Sequence, residues 1–249
     1  MKITAIETLR TEEFANVLWV RVHTDAGVVG LGETFYGAAA VEAHVHDTLA
    51  ARLLGKDPLR IEAHSREMVA LPMAQSSTGV EYRAASAIDI ALWDLFGKVC
   101  GQPVHQMLGG LCRDRLRVYN TCAGTRYVST KNITPVGNWN RGAGRYEDLD
   151  AFMTDAGALA ETRHRPFAPH DCIGPVGFAA AVHMSFSQPN TLIQESVRAF
   201  WRGWYKDLVT KVPRIEGGYV YPLEGPGLGV DLRQQVFERA DLIQRKTEP

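Results

Sequence analysis

Residues 80–99 carry the pattern that most restricts how this chain can fold. Ala84, Ile88, Ala91, Leu92 and Leu95 recur at three- and four-residue spacing, which gathers them on one face of a helix aimed at a core. The alanines allow a neighbour to approach closely, the bulky positions fill space, and the glycines that follow, Gly101, Gly109 and Gly110, redirect the chain.

The residues before this helix predict a small antiparallel sheet. Stretches 2–10 and 16–23 read as strands, and in the second Val17, Trp19 and Arg21 alternate with Leu18, Val20 and Val22, so one of its faces is expected to be buried. Thr24-Asp25-Ala26-Gly27 is turn chemistry, and residues 28–33 return as the second arm of a hairpin. Val41, Val45, Leu49 and Leu53 then mark a helix over 38–54, stopped by Gly55. Asp57-Pro58 is suited to open another, running to about residue 69. Sheet followed by helices makes residues 1–115 an α+β unit.

Beyond residue 115 the pattern changes to β/α units. Residues 116–121, 167–168 and 191–194 read as strands, and 146–160, 176–186 and 232–242 as helices. Trp201, Trp204 and Tyr205 fall near helical spacing; covering a core is the favoured reading and an interface stripe the alternative.

Composition narrows the partners. A formal charge of -1 and a pI near 6.7 leave no cationic surplus for phosphates or an anionic membrane, which argues against nucleic acid and membrane partners. No apolar run approaches the roughly 18 residues of a membrane span, and the expected location is cytoplasmic. Cys100, Cys112, Cys122 and Cys172 lack C-x-x-C spacing and read as reduced thiols.

The stretch Ala87-Ile88-Asp89-Ile90-Ala91-Leu92-Trp93-Asp94-Leu95-Phe96-Gly97-Lys98, with Gly101-Gln102-Pro103-Val104 and Leu108-Gly109-Gly110 after it, resembles the end of the capping domain in the mandelate racemase and muconate-lactonizing branch of the enolase superfamily. The hairpin through Val28-Val29-Gly30-Leu31-Gly32-Glu33 and the stretch 166–231 extend the resemblance. It implies an α+β capping domain (1–115) and a TIM-like β/α barrel in the remainder (116–249), incomplete here. It also implies that Thr11, Phe14, Thr34, Phe35, Tyr36, Met73, Ser76 and Thr78 lie on loops that help choose the substrate.

In such enzymes a base removes the proton next to a carboxylate, and magnesium stabilises the resulting enediolate. Phe167-Ala168-Pro169-His170-Asp171-Cys172-Ile173-Gly174-Pro175 resembles the seventh-strand segment of the acid-sugar dehydratases, galactonate dehydratase among them, so His170 matches their catalytic histidine. Leu192-Ile193-Gln194-Glu195-Ser196 resembles the next strand's end, so Glu195 matches the carboxyl that meets the substrate or its enolate. Neighbours along a strand face opposite ways, so Asp171 is not expected to orient His170; in the family that aspartate comes from the preceding strand.

Length sets the limit on activity. The 134 residues after position 115 compare with about 250 in a (β/α)8 barrel. Residues 150–160 resemble the first barrel helix, and 161–166 already lead into the seventh strand. Strands two to six, with the magnesium carboxylates and the Lys-x-Lys or equivalent base, lack a counterpart. The parent reading is a magnesium-dependent acid-sugar dehydratase acting on a small molecule, with racemase or lactonizing activity as neighbours; this chain is expected to bind no magnesium and to be inactive. The alternative is a non-catalytic remnant that binds homologous subunits, or a homo-oligomer formed through open sheet edges.

Overall fold

The computed structural model describes residues 1–70, 79–121, 166–171 and 173–249. Strands β1 (Ile3–Thr11), β2 (Val17–Thr24) and β3 (Val29–Phe35) form the expected antiparallel sheet. The expectation of a single buried face on β2 needs correction, because both are covered. Leu18, Val20 and Val22 face one hydrophobic core and Val17 and Trp19 the other, all fully buried.

The helix expected over 38–54 is three segments: α1 (Ala38–His44), a π-helical turn (Val45–Leu49) and α2 (Ala50–Leu53). A strict four-residue repeat drifts around a 3.6-residue helix by about 40° per step. The wider turn sits where that drift accumulates, and Val41, Val45, Leu49 and Leu53 all remain fully buried. Helix α3 (Ile61–Val69) starts later than predicted. The Asp57 side chain closes a local turn by accepting from the Leu59 amide at 3.0 Å and caps no helix. Helix α4 (Val80–Cys100) matches its prediction, with Ala84, Ile88, Ala91, Leu92 and Leu95 fully buried.

The fit of α4 against β3 explains the glycines of the hairpin. A Cβ on Gly30 would lie 2.0 Å from the Ala91 carbonyl oxygen, and one on Gly32 1.9 Å from that of Ala87. Sheet and helix therefore touch backbone to backbone, a packing that only glycine in the strand permits. Gly32→Ala is expected to lower stability by about 3 kcal/mol, read as a fall in thermal midpoint. Adding Ala87→Gly should give no rescue, because the clash is with a main-chain oxygen; unaltered melting of Gly32→Ala would refute this packing account.

A short helix, α5 (Val104–Met107), leads to β4 (Leu116–Asn120). Beyond it lie α6 (Pro175–Ser187), β5 (Gln194–Ser196), α7 (Arg198–Trp201), α8 (Tyr205–Leu208), β6 (Ile215–Glu216) and β7 (Tyr219–Val220). The second sheet has the order β5-β4-β7-β6, with β4 and β5 parallel. Residues 167–168 form a single parallel bridge, Phe167 to Thr191, and no longer strand, while the strand expected over 191–194 sits further along, at β5. The segments at 167, 191–196 and 116–120 thus lie side by side, the arrangement of a partial barrel. Trp204 and Tyr205 are buried in the core, the favoured of the two readings for that aromatic group. The predicted helix over 146–160 falls outside the described residues.

The end of the chain departs most from expectation. In place of a helix over 232–242 there is one turn, α9 (Gln234–Phe237), and then β8 (Leu242–Thr247). Strand β8 pairs antiparallel with β1, from Ile6 opposite Thr247 to Thr11 opposite Leu242, so the first sheet has the order β3-β2-β1-β8. A ladder partner more than 200 residues away outweighs the helical spacing of Leu232, Val236 and Ile243.

One core lies between the first sheet and α1 to α4. The other is shared by the opposite face of that sheet, α6, α8 and the segment through Leu223, Leu228 and Val230. Among the described residues no helix is long and apolar enough to cross a membrane.

Candidate functional site

Phe167 is held beside Thr191 by its bridge, and the chain then runs through His170 and Asp171 into α6. Strand β5 places Glu195 next to this segment, and β4 delivers Thr121 to its other side. His170 Nδ1 lies 2.6 Å from Glu195 Oε2. The same oxygen accepts from the Asp171 amide at 2.8 Å, and Oε1 accepts from the Thr121 hydroxyl. Glu195 is nearly enclosed, its side chain 4% exposed against 38% for His170. The two residues matched to the family's site are therefore brought together, but paired with each other.

Behind them lies a second acidic group. Glu33, directly opposite Trp19 in the β2–β3 ladder, accepts from Trp19 Nε1 at 2.9 Å and from the amides of Val176 and Gly177 at 3.3 and 2.9 Å. The carboxyl sits on the first turn of α6, where free amides and the helix dipole favour an anion. A Cβ on Gly174 would collide with it at 2.4 Å, so glycine keeps that place clear. Burial outweighs these donors and pushes Glu33 up to about 7. Asp171 is also buried, and among the described residues neither of its carboxyl oxygens makes a well-formed hydrogen bond, the Ile173 amide being only a weak donor nearby. Burial raises it well above the carboxylate range; the Glu195 and Glu33 carboxyls add to this and the Ile173 amide works against it. Burial of this kind disfavours the charged form of the carboxyl.

Of the residues expected on specificity loops, Thr11, Thr34 and Phe35 lie within strands, whereas Phe14 and Tyr36 lie on the turns that follow β1 and β3. Thr11 is buried at the end of β1, its hydroxyl accepting from the Phe14 amide, and Phe14 is stacked on Trp204 at 4.9 Å. Thr34 and Phe35 are buried within β3. Their apolar neighbours in the shared core account for this. Tyr36 is half-buried just after β3, at φ 69°, with the Arg83 guanidinium 5.3 Å from its ring centre. Met73, Ser76 and Thr78 lie outside the described residues, as do Cys122 and Cys172.

Two groups at this site escape sequence reading. Glu33 is one, although a carboxylate ending an otherwise apolar strand was a visible signal. Thr121 is the other, with only its place at a strand end to mark it.

A magnesium ion wants several hard oxygen ligands on one centre. Among the described residues no cluster of three acidic, histidine or cysteine side chains could hold a metal. Glu195 and Glu33 have their oxygens engaged elsewhere, which leaves Asp171 as a single carboxyl. This donor set does not fit the ion.

A sheet-and-helix cap packed on β/α barrel segments is the architecture of the enolase superfamily. Residues 3–109 match the family described as mandelate racemase / muconate lactonizing enzyme, N-terminal domain, and residues 152–236 match enolase C-terminal domain-like. The chain belongs to the mandelate racemase and muconate-lactonizing enzyme family. It is 40% identical over 128 residues to D-galactonate dehydratase of Verminephrobacter eiseniae, covering 51% of this chain and 32% of that protein. With D-galactonate dehydratase of Pectobacterium atrosepticum it shares 36% identity over 143 residues, 55% of this chain and 36% of the relative. The chain thus spans about a third of the length of these curated relatives. Among solved structures it is similar to an enolase of the mandelate racemase subgroup from Agrobacterium tumefaciens, with TM-score 0.81 and 30% identity, covering 100% of this chain and 99% of the other. An enolase superfamily member from Salmonella Typhimurium shares the fold at TM-score 0.76 and 20% identity, over 99% of this chain and 100% of its own.

Proposed function

We propose that this chain derives from magnesium-dependent acid-sugar dehydratases and keeps one proton-handling wall of their site without the wall that holds the metal. In this reading residues 1–115 are the capping unit, with β8 added to its sheet, and the rest of 116–249 is the barrel remnant. The observation that carries it is the pairing of His170 with Glu195 at 2.6 Å on adjacent barrel segments, in a chain whose curated relatives are galactonate dehydratases. Dehydration of an aldonate removes the proton next to the carboxylate and then expels a hydroxyl. An imidazole beside that hydroxyl is suited to protonate it as it leaves.

The length of chain between the two halves argues against complete chemistry. Only 44 residues separate Thr121 from Pro166, whereas one βαβ unit takes about 30, so five further strands with their helices cannot be encoded there. With them go the expected metal carboxylates and a second base. Each 1.36 kcal/mol of lost transition-state stabilisation is about a tenfold loss in rate, and electrostatic stabilisation of the enediolate is a large part of the total. The expected result is no dehydration of galactonate or other aldonates by the purified chain, with or without added magnesium. Magnesium-dependent product formation that disappears in His170→Gln would overturn the proposal.

A further inference from the structure

We infer that Glu195 is a positioning residue for His170, holding the ring as its Nδ1–H tautomer, and does not present its carboxylate to a ligand. The geometry accounts for both carboxylate oxygens. Oε2 lies 2.6 Å from His170 Nδ1 and 2.8 Å from the Asp171 amide, and Oε1 takes the Thr121 hydroxyl. A carboxylate offers about four acceptor positions, and three are taken by groups from two separate segments, His170 and Asp171 on one and Thr121 on the other. A side chain only 4% exposed has little access to a further donor, and a buried carboxylate requires such partners to remain charged.

Among the described residues around the carboxylate, the imidazole is the group able to balance that charge. Asp171 follows His170 directly, Glu33 approaches from β3, and Thr121, from the end of β4, is neutral. An acceptor fixed at Nδ1 dictates the tautomer: the neutral ring carries its proton on Nδ1 and its lone pair on Nε2. The pairing thus sets which nitrogen handles a proton, the task the resemblance gives to an aspartate on a strand this chain lacks. The proposal rests on the reading of His170 as the surviving acid/base group only for its use, and its test is independent of turnover.

Long-range 15N–1H spectra of the histidine-labelled full chain report the tautomer directly, with the His170 signals identified by their loss in His170→Gln. Above the titration of the ring, the wild-type protein should show the Nδ1–H form. Glu195→Ala should lose that signature, the Nε2–H form becoming the major one. Glu195→Gln should restore it, because a carbonyl oxygen in the Oε2 position still accepts from Nδ1. Thr121→Val, which removes a support without touching the ring, should leave the tautomer unchanged. An Nε2–H form in the wild-type protein overturns the inference even if Glu195→Ala fails to fold, as does a folded Glu195→Ala that keeps the Nδ1–H form.

Discussion

Asp94→Ala is expected to remove about 3 kcal/mol or more of folding free energy, against about 5–15 kcal/mol for an ordinary domain. Asp94 lies within the motif by which the family is recognised, and it acts as a junction. Its side chain is fully buried; Oδ2 accepts from the Leu31 amide at 2.8 Å, Oδ1 from the Leu228 amide at 2.7 Å, and Lys98 Nζ lies 2.7 Å away. Three parts of the chain, β3, α4 and the turn near Leu228, therefore share one carboxylate. Removing it strands two buried amides and a lysine that also reaches the Val29 carbonyl and Asp231. Asparagine should do little better, because its amide group must face one of the two backbone donors. Lys98→Met should also destabilise, and the double variant should lose less than the sum of the singles, since the pair is in contact. Urea denaturation measures all three. A loss below about 1 kcal/mol in Asp94→Ala would mean that water replaces the carboxylate and that the junction is not structural.

That motif shows where sequence reading succeeds. The buried face of α4 is carried by residues close together in the chain, so spacing alone places Ala84, Ile88, Ala91, Leu92 and Leu95 on the core side. The capping sheet is legible for the same reason, since its hairpins are local. What fails is long-range. Strand β8 owes its conformation to a free edge on β1, and no pattern within residues 242–247 announces that partner. The second buried face of β2 depends on α6, which joins it from a distant segment. At the candidate site His170 and Glu195 were both legible by resemblance, yet the resemblance pointed Glu195 toward a substrate. Among the described residues the group seated against it is His170, at 2.6 Å, and a buried carboxylate is better satisfied by such a donor than by none.

The last expectation concerns α6, whose two ends carry opposite pH dependences. At its first turn Glu33, with an ordinary value of 4.5, is pushed up to about 7 by burial, despite the amides and indole that donate to it. The folded state therefore holds a proton that the unfolded chain releases between these values. Its contribution is fully present below pH 4.5 and is lost as pH rises through about 7, a change of roughly 3 kcal/mol. Near the other end His183 is buried, accepts from the His105 amide at 3.1 Å and bonds the Leu228 carbonyl at 3.0 Å. Burial lowers it from 6.5 to about 4, with the Leu228 carbonyl working against this and His105 adding to it. The sign is reversed: its contribution is present above pH 6.5 and lost as pH falls through about 4, again by roughly 3 kcal/mol. The slopes of these two groups oppose each other between pH 4.5 and 6.5 and largely cancel as a pair, while Asp171, also raised by burial, adds a fall in stability with rising pH. Glu33→Gln keeps an acceptor on the helix but cannot ionise, so its stability relative to wild type should improve steadily from pH 5 to 8. Denaturation midpoints at each pH measure that difference. A constant offset between the two proteins would show that Glu33 is already ionised at pH 5 and that the amides of α6 outweigh its burial.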